Sequence, residues 1–383
     1  MINRLTQDYI NNTPKKRRSE LGQFFTPKNI RDRLISYLPR LESPKVAELN
    51  VGTGEFLDSI YSYFKSPIVY AYDIDNNVMD ISKRLYPQAI YSLGDSLYSD
   101  DTGFDFVIGN PPYFETSNVR YKNDFKEVVS GRVNMYTLFI YKALKMLKVG
   151  GYLAMVVPSS MNNGAYFDKL RKFIINNGEI IQLDILSDDL FQDALQTVQI
   201  LVIRKSKSSN KFVFCKNNIC IFTENVEELE RYWHGAYSLK ELGYAVKTGN
   251  VVWNQHKSKL SSNPNDTLLV WAHNIDNNNR LALSTKKPQY IKEWTPEYNH
   301  GIVVNRITGA NKNAKIKAAL VNQPFAAENH VNVITGNNLE QLVSMLSDRR
   351  SLEALKLITG NTQLSKTELE NLLPIYKGKE TNV

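Results

Sequence analysis

Lys45-Val46-Ala47-Glu48-Leu49-Asn50-Val51-Gly52-Thr53-Gly54-Glu55-Phe56-Leu57 is the stretch on which the fold turns. Val46 to Asn50 reads as a short strand running into the glycine turn Gly52-Thr53-Gly54. Phe56 to Phe64 then reads as a helix, with apolar residues at 56, 57, 60 and 64. Glycines at such a strand-to-helix turn let the backbone approach a ligand closely. Outward from it the alternation continues. Ile68 to Tyr72 is a second apolar strand that stops at Asp73, and Asn76 to Leu85 is a helix. Ala89 to Tyr91 is a short strand ending near Gly94-Asp95. Phe104 to Ile108 is a buried strand that stops at Gly109-Asn110-Pro111-Pro112-Tyr113.

Residues 114–133 are polar and mixed and predict a long loop. Met135 to Leu147 predicts an amphipathic helix closed by Lys148-Val149-Gly150-Gly151, read as a C-cap. Tyr152 to Val157 is a strand ended by Pro158, 165–177 a helix, and Ile180 to Ile185 and Thr197 to Ile203 two further strands. This order predicts an α/β fold with a doubly wound, mainly parallel sheet. Ligands of such sheets bind at the carboxyl ends of the strands. Glu48–Gly54, Asp73, Asp95 and Asn110–Tyr113 all fall there.

The 383 residues suggest two domains, and 42% hydrophobic content excludes a wholly disordered chain. Residues 1–200 carry 23 basic and 23 acidic side chains, so the whole net charge of +8 lies in 201–383. A neutral part is joined to a basic part that favours an anionic partner. The composition turns polar and basic at Arg204 to Asn210, where the alternation fades; Asn338 to Leu373 becomes helical again. The expected organisation is a basic arm over 1–20, a ligand-binding domain over 21–207 and a mixed α+β domain over 208–383.

Cys215 and Cys220 are the two cysteines, read as small strand or loop residues in a reducing compartment rather than as a disulfide scaffold or zinc site. All five histidines lie beyond residue 230, so chemistry in the neutral half proceeds without an imidazole or a catalytic thiol of its own. No metal is expected. No apolar run is long enough for a membrane span and no signal peptide is evident, which points to the cytoplasm.

Asp73 follows Gly54 by 19 residues, a position suited to an acid that binds ribose hydroxyls. Position 57 is Leu where a dinucleotide-binding G-x-G-x-x-G would place its third glycine, which favours a ligand with one ribose. Asn110-Pro111-Pro112-Tyr113 is the most specific signal in the chain.

These residues resemble the S-adenosylmethionine-dependent DNA adenine-N6 methyltransferases of the TaqI-like gamma arrangement, closely over residues 20–205. Gly22-Gln23-Phe24-Phe25-Thr26-Pro27 resembles their N-terminal motif, Glu48 to Leu57 the cofactor glycine motif and Tyr72-Asp73-Ile74-Asp75 the ribose motif. Gly94-Asp95-Ser96 resembles the cofactor-adenine motif, and the stretch from Asn134-Met135-Tyr136 to Pro158 the one that follows. Leu49-Asn50 departs from the Pro-Ala common in the family; Glu48 and both glycines are kept.

The resemblance implies a Rossmann-like methyltransferase sheet with a C-terminal DNA-recognition domain. It implies catalysis at Asn110, Pro111, Pro112 and Tyr113, with Tyr113 and Phe191 stacking on the two faces of a flipped-out adenine. It implies a cofactor site in which Thr26 binds the methionine carboxylate, Glu48 the ammonium, Asp73 the ribose, Ile74 the adenine face and Asp95 the adenine amine. Asn50, Gly52, Gly54 and Phe139 complete that site. Other acids such as Asp75 and Asp105 are expected to be solvated or capping. Phosphate contacts are expected from Arg306, Lys312, Lys315 and Lys317, in the densest basic stretch of the second half. The expected partner is double-stranded DNA, bound by a monomer. A cognate restriction endonuclease would act without touching it. Two other readings share the motif or the fold: a methyltransferase for RNA adenine or a protein glutamine, and a catalytically idle DNA-binding protein.

Overall fold

The computed structural model describes residues 3–20, 22–186, 197–206, 211–283, 287–308, 315–358 and 363–378. The chain forms two compact units, 1–212 and 213–383. The first opens with α1 (Arg4–Asn12), α2 (Lys15–Glu20) and α3 (Lys28–Ser36). Then β1 (Lys45–Glu48), α4 (Glu55–Tyr63), β2 (Ile68–Asp73), α5 (Asn76–Leu85), β3 (Ile90–Leu93) and β4 (Phe104–Gly109) alternate as the sequence predicts. Residues 114–133 are not a plain loop. They hold β5 (Glu115–Thr116), which pairs with β6 (Val133–Asn134), and α6 (Val119–Asp124) between them. After α7 (Met135–Met146) come β7 (Leu147–Pro158), α8 (Asp168–Asn177), β8 (Glu179–Ile185) and β9 (Val198–Arg204).

The strands make one seven-stranded sheet in the order β3-β2-β1-β4-β7-β9-β8. Every neighbour pair from β3 to β7 is parallel, and β9 runs antiparallel to both β7 and β8. The order reverses at β1–β4, so the crevice at their carboxyl ends is the topological switch point at which such sheets take ligands. Strands buried on both faces need apolar residues throughout, and β9 is Val-Gln-Ile-Leu-Val-Ile-Arg with all but Arg204 buried. Val46, Ile108, Val156 and Val202 pack with Leu34, Leu57 and Ile60 in one core.

Gly150-Gly151 does not cap the helix. The helix ends at Met146 and the chain enters β7 directly at Leu147. Gly150 takes φ +81°, and a Cβ on Gly151 would lie 2.9 Å from the Phe104 carbonyl oxygen, so the pair bends the start of a strand against β4.

The second unit is mixed α+β. β10 (Val213–Lys216) and β11 (Ile219–Phe222) form a hairpin turned by Asn217 and Asn218, both at positive φ. Cys215 and Cys220 face each other across it and are disulfide-bonded, so they are not the two separate small residues expected, and the bond runs against the reducing compartment read from them. After α9 (Val226–Trp233) come β12 (Ala245–Thr248), β13 (Leu260–Ser261), β14 (Thr267–Val270), β15 (Tyr290–Ile291), β16 (Gly301–Asn305), β17 (Ala318–Val321), β18 (Phe325–Ala327) and β19 (Val331–Thr335). They build two four-stranded sheets, β12-β19-β16-β17 and β13-β15-β14-β18. Helices α10 (Leu339–Leu346), α11 (Arg349–Ile358) and α12 (Lys366–Asn371) follow.

Candidate active site

Four strand ends of the first unit meet around one cavity lined by Thr26, Glu48, Asn50, Gly52, Asp73, Ile74, Asp95, Asn110 and Phe139 among others. The chain turns sharply after β1. Gly52 sits at φ +55° with open space where a Cβ would be, and its N–H donates to Asp73 Oδ2 at 2.7 Å. Gly54 sits at φ +91°, where a Cβ would lie 2.7 Å from Ser82 Oγ. One glycine leaves room for a ligand; the other lets α4 close against α5.

The electrostatics of this cavity are unusual for a protein interior. Glu48 is 2% exposed, and its Oε2 is buried without a partner. Burial, with the Asp73 carboxylate as neighbour, pushes the Glu48 carboxyl well above the usual range. Burial also raises Asp73, against backbone N–H groups of Asp75 and Gly52 that hold it down. Asn50 Oδ1 and Thr53 Oγ1 are likewise buried without partners. Orphaned acceptors beside one buried and one half-buried carboxylate suit a ligand carrying positive charge and N–H donors. Ile74 stands 72% exposed on the cavity wall, an apolar surface free to lie under a flat ring. Asp95 is oriented by Leu97 N–H on Oδ1 and by the Tyr121 hydroxyl on Oδ2 at 2.8 Å. An adenosyl group with an amino-acid end, as in S-adenosylmethionine, fits this donor and acceptor set.

Asn110 lies at the carboxyl end of β4, 8% exposed. Its Nδ2 donates to Thr26 Oγ1 at 3.1 Å and more loosely to the Phe24 carbonyl at 3.4 Å. Its backbone carbonyl accepts from Asn50 Nδ2. Both ends of the residue are therefore fixed, and Oδ1 is left as the presented acceptor. The Tyr113 hydroxyl sits on that Oδ1 and is also 2.9 Å from the Val156 carbonyl, one proton for two acceptors. The Tyr113 ring stacks on Phe24 at 5.9 Å and meets Tyr136 edge-on at 6.2 Å. Burial raises its phenol well above the ordinary value, so the hydroxyl keeps its proton. Gly22, at φ +65°, closes the other side of the turn: a Cβ there would lie 2.4 Å from Pro112 Cβ.

The expected cofactor residues other than Gly54, and Asn110, thus line one cavity, with Pro112 among its walls and Tyr113 hydrogen-bonded to Asn110; Gly54 instead packs against Ser82 of α5 and Tyr86 just after it. Asp75 caps α5 through Asn77 N–H and accepts from Gln23 Nε2, while Asp105 accepts from Lys45 N–H and pairs with Lys148. Phe191 and Lys312 lie outside the described residues. In the second unit Lys315 is exposed and Lys317 half-buried. Arg306 is partly committed elsewhere, its Nη1 donating to the Asn329 carbonyl at 2.6 Å. Three residues were missed in the sequence. Tyr121 orients Asp95, and Phe24 packs on Tyr113. Buried Arg31 ties the Thr26 carbonyl (2.7 Å) to Glu55 (2.9 Å). A signal for Arg31 existed, since it interrupts the apolar face of Ile30, Leu34 and Ile35.

Sheet order and strand-end loops together define a Rossmann-like α/β fold. More particularly, residues 56–191 match the family described as Eco57I restriction-modification methylase. The chain is 24% identical to "Modification methylase CviBIII" of Paramecium bursaria Chlorella virus NC1A, over 97% of this chain and 98% of that protein. It is 26% identical to "Type II methyltransferase M.BsuBI" of Bacillus subtilis, over 93% of this chain and 88% of that protein. Among solved structures, a putative class I S-adenosylmethionine-dependent methyltransferase from Listeria monocytogenes aligns with TM-score 0.46 and 20% identity, over 52% of this chain and 66% of that one. Among the described residues no group of three or more His, Cys, Asp or Glu could hold a metal ion, and no helix is long and apolar enough to cross a membrane.

Proposed function

We propose that this chain is a site-specific DNA methyltransferase that transfers a methyl group from S-adenosylmethionine to the N6 amine of an adenine turned out of duplex DNA. The observation that carries the reading is Asn110: an amide anchored through its own N–H groups on Thr26 and Phe24, whose Oδ1 accepts only the Tyr113 hydroxyl and keeps a second lone pair, beside a cavity lined by unpartnered acceptors. The relatives, named modification methylases and type II methyltransferases over nearly the whole chain, support the same conclusion.

Bound S-adenosylmethionine supplies an activated methyl group on a sulfonium. Glu48 would face its ammonium, the Thr26 hydroxyl its carboxylate, and Asp73 its ribose. Ile74 and Phe139 would cover the adenine ring, Asp95 its amine, and Asn50 and the glycines would wall the loop. The reacting amine of the DNA base is a poor nucleophile, because its lone pair is delocalised into the ring. Asn110 Oδ1 and the Pro111 carbonyl would accept its two N–H groups, draw it toward a tetrahedral shape and free that lone pair for direct attack. The methylated nitrogen then sheds one proton to water, and no covalent enzyme intermediate forms. Extrusion is required because the amine is paired within the duplex. Tyr113 would stack on one face of the base and Phe191 on the other. The second unit would recognise the DNA and supply phosphate contacts from Lys312, Lys315, Lys317 and Arg306. The enzyme would act as a cytoplasmic monomer without a metal, alongside any cognate endonuclease.

The test is incubation with methyl-labelled S-adenosylmethionine and duplex DNA, followed by digestion to nucleosides. Label in the N6-methylated deoxyadenosine of DNA is the expected result. Label in another base would move the target, and label only in RNA or in protein would favour the sibling activities. Intact DNA binding without any transfer would leave an idle binder.

A further inference from the structure

The second unit holds a cavity of about 510 Å³ whose wall is made by Trp253, Trp271, His273, Lys287, Glu328 and His330. None of these residues lines the strand-end cavity of the first unit. Trp253 begins a 3-10 turn and is 38% exposed, although tryptophan is among the residues with most to gain from burial. Its ring lies 6.3 Å from that of Trp271, which in turn lies 5.7 Å from His273 at an interplanar angle of 34°. Trp271 Nε1 is buried with no acceptor, a donor left without its bond.

The polar side of the cavity is equally ordered. Glu328 is 2% exposed; its Oε2 accepts the His330 N–H at 2.9 Å, and its Oε1 lies 2.6 Å from His330 Nδ1. The carboxylate therefore holds the Nδ1 proton, and the partly exposed ring offers Nε2 as the remaining polar atom. Cations stand at the rim: Lys287 lines it, and Lys257 Nζ sits 5.2 Å over the Trp253 ring. Aromatic faces, an unmet N–H donor, an oriented imidazole and flanking lysines together match a flat heterocycle attached to a phosphate.

We propose that this cavity is a second nucleotide site, which takes one DNA base outside the helical stack against the Trp253 and Trp271 rings with its phosphate toward Lys287. The inference rests on the reading of DNA as the substrate. It adds that the second unit grips an unstacked base as well as phosphates. Loss of one stacked base costs about tenfold in affinity or more.

The experiment compares a 12-nucleotide deoxyadenylate strand with an abasic strand of equal length and charge. The full chain and its Trp253→Ala, Trp253→Phe and Glu328→Gln variants are used, each checked for unchanged S-adenosylmethionine binding and thermal midpoint. Trp253→Ala should lower affinity for the base-bearing strand about tenfold, leave the abasic strand unaffected, and be rescued by Trp253→Phe. If Trp253→Ala discriminates between the strands as the parent does, the nucleotide site is wrong while duplex methylation by the parent protein still stands. If Glu328→Gln alone lacks an effect, His330 is removed from the site and the stacking surface remains. If the parent chain neither binds nor methylates any DNA, the substrate reading fails and this site falls with it.

Discussion

The two cavities have opposite chemistry. The strand-end cavity of the first unit gathers carboxylates, Glu48 buried and Asp73 half-buried, with unpartnered oxygens, and suits a cation. The cavity of the second unit is built from indole and imidazole faces with a single buried carboxylate, Glu328, paired to His330, and Lys287 in its wall, and on the proposal above it would take an anion that carries a ring. The sequence-wide split between a neutral half and a basic half is therefore reproduced at the scale of single sites. It teaches that a neutral total can hide a pocket in which carboxylates gather.

The largest test of this contrast removes the acceptor. Asn110→Ala should lower methyl transfer by about 10²–10³-fold, the cost of losing one well-placed transition-state hydrogen bond, while S-adenosylmethionine binding stays close to that of the parent. Single-turnover transfer and equilibrium cofactor binding separate the two; an undiminished rate would remove Asn110 from the chemistry.

Next comes the buried acid. A cation in the cavity favours ionised Glu48, whereas burial without one raises its carboxyl. Cofactor binding should release a proton, and affinity should weaken as the pH falls below that raised value. Glu48→Gln should abolish the proton release in calorimetry across buffers and cost roughly 10–100-fold in affinity. The sign for stability is opposite. A folded-state value above the unfolded one contributes stability below the ordinary carboxyl range and loses it as the pH rises through the raised value. At neutral pH the ligand-free Glu48→Gln protein should therefore melt higher, by roughly 2–4 °C for each kcal/mol recovered. A lower midpoint would show that Glu48 has a structural partner.

The basic unit is tested by salt. Lys315→Glu and Lys317→Glu should each flatten the dependence of DNA affinity on salt, by about 0.9 in log–log slope for every phosphate no longer neutralised, and leave cofactor binding untouched. Arg306→Glu should also lower the melting temperature, because its guanidinium holds the Asn329 carbonyl. Smallest of all, Tyr113→Phe keeps the ring and deletes the hydroxyl on Asn110, so DNA affinity should stay within a few-fold of the parent, whereas Tyr113→Ala should lose about tenfold through stacking.

The sequence was most legible where structure is fixed locally. Gly52, Asp73, Asp95 and Asn110 announce strand ends because glycine, proline and acidic residues punctuate apolar runs, and the sheet follows from their spacing. Gly150-Gly151 misled for the same reason. After a helix it imitates a cap, and only the nearness of the Phe104 carbonyl reveals a bent strand. Tyr121 could not be foreseen, since its partner Asp95 lies 26 residues away and a polar stretch gives no periodicity. The sheets of the second unit were hidden because their strands run five residues or fewer and pair non-locally, as β14 does with β18 across more than fifty residues. The Cys215–Cys220 pairing was readable in part, for Asn217-Asn218 is a turn signal that would have set the two opposite each other.

The placement of Tyr113 has a consequence for selectivity. Its phenol gives Asn110 Oδ1 a proton donor in the ligand-free chain, so on the proposed function an entering base would replace that donor or join it. Adenine and cytosine can do either, because each presents an amino group. Thymine and guanine present a carbonyl oxygen at the corresponding place and would set acceptor against acceptor. On the proposed function a resting tyrosine would work as a sieve: a base that brings an N–H to Oδ1 would be accepted, and one that brings a carbonyl would be turned away before the methyl group is at risk.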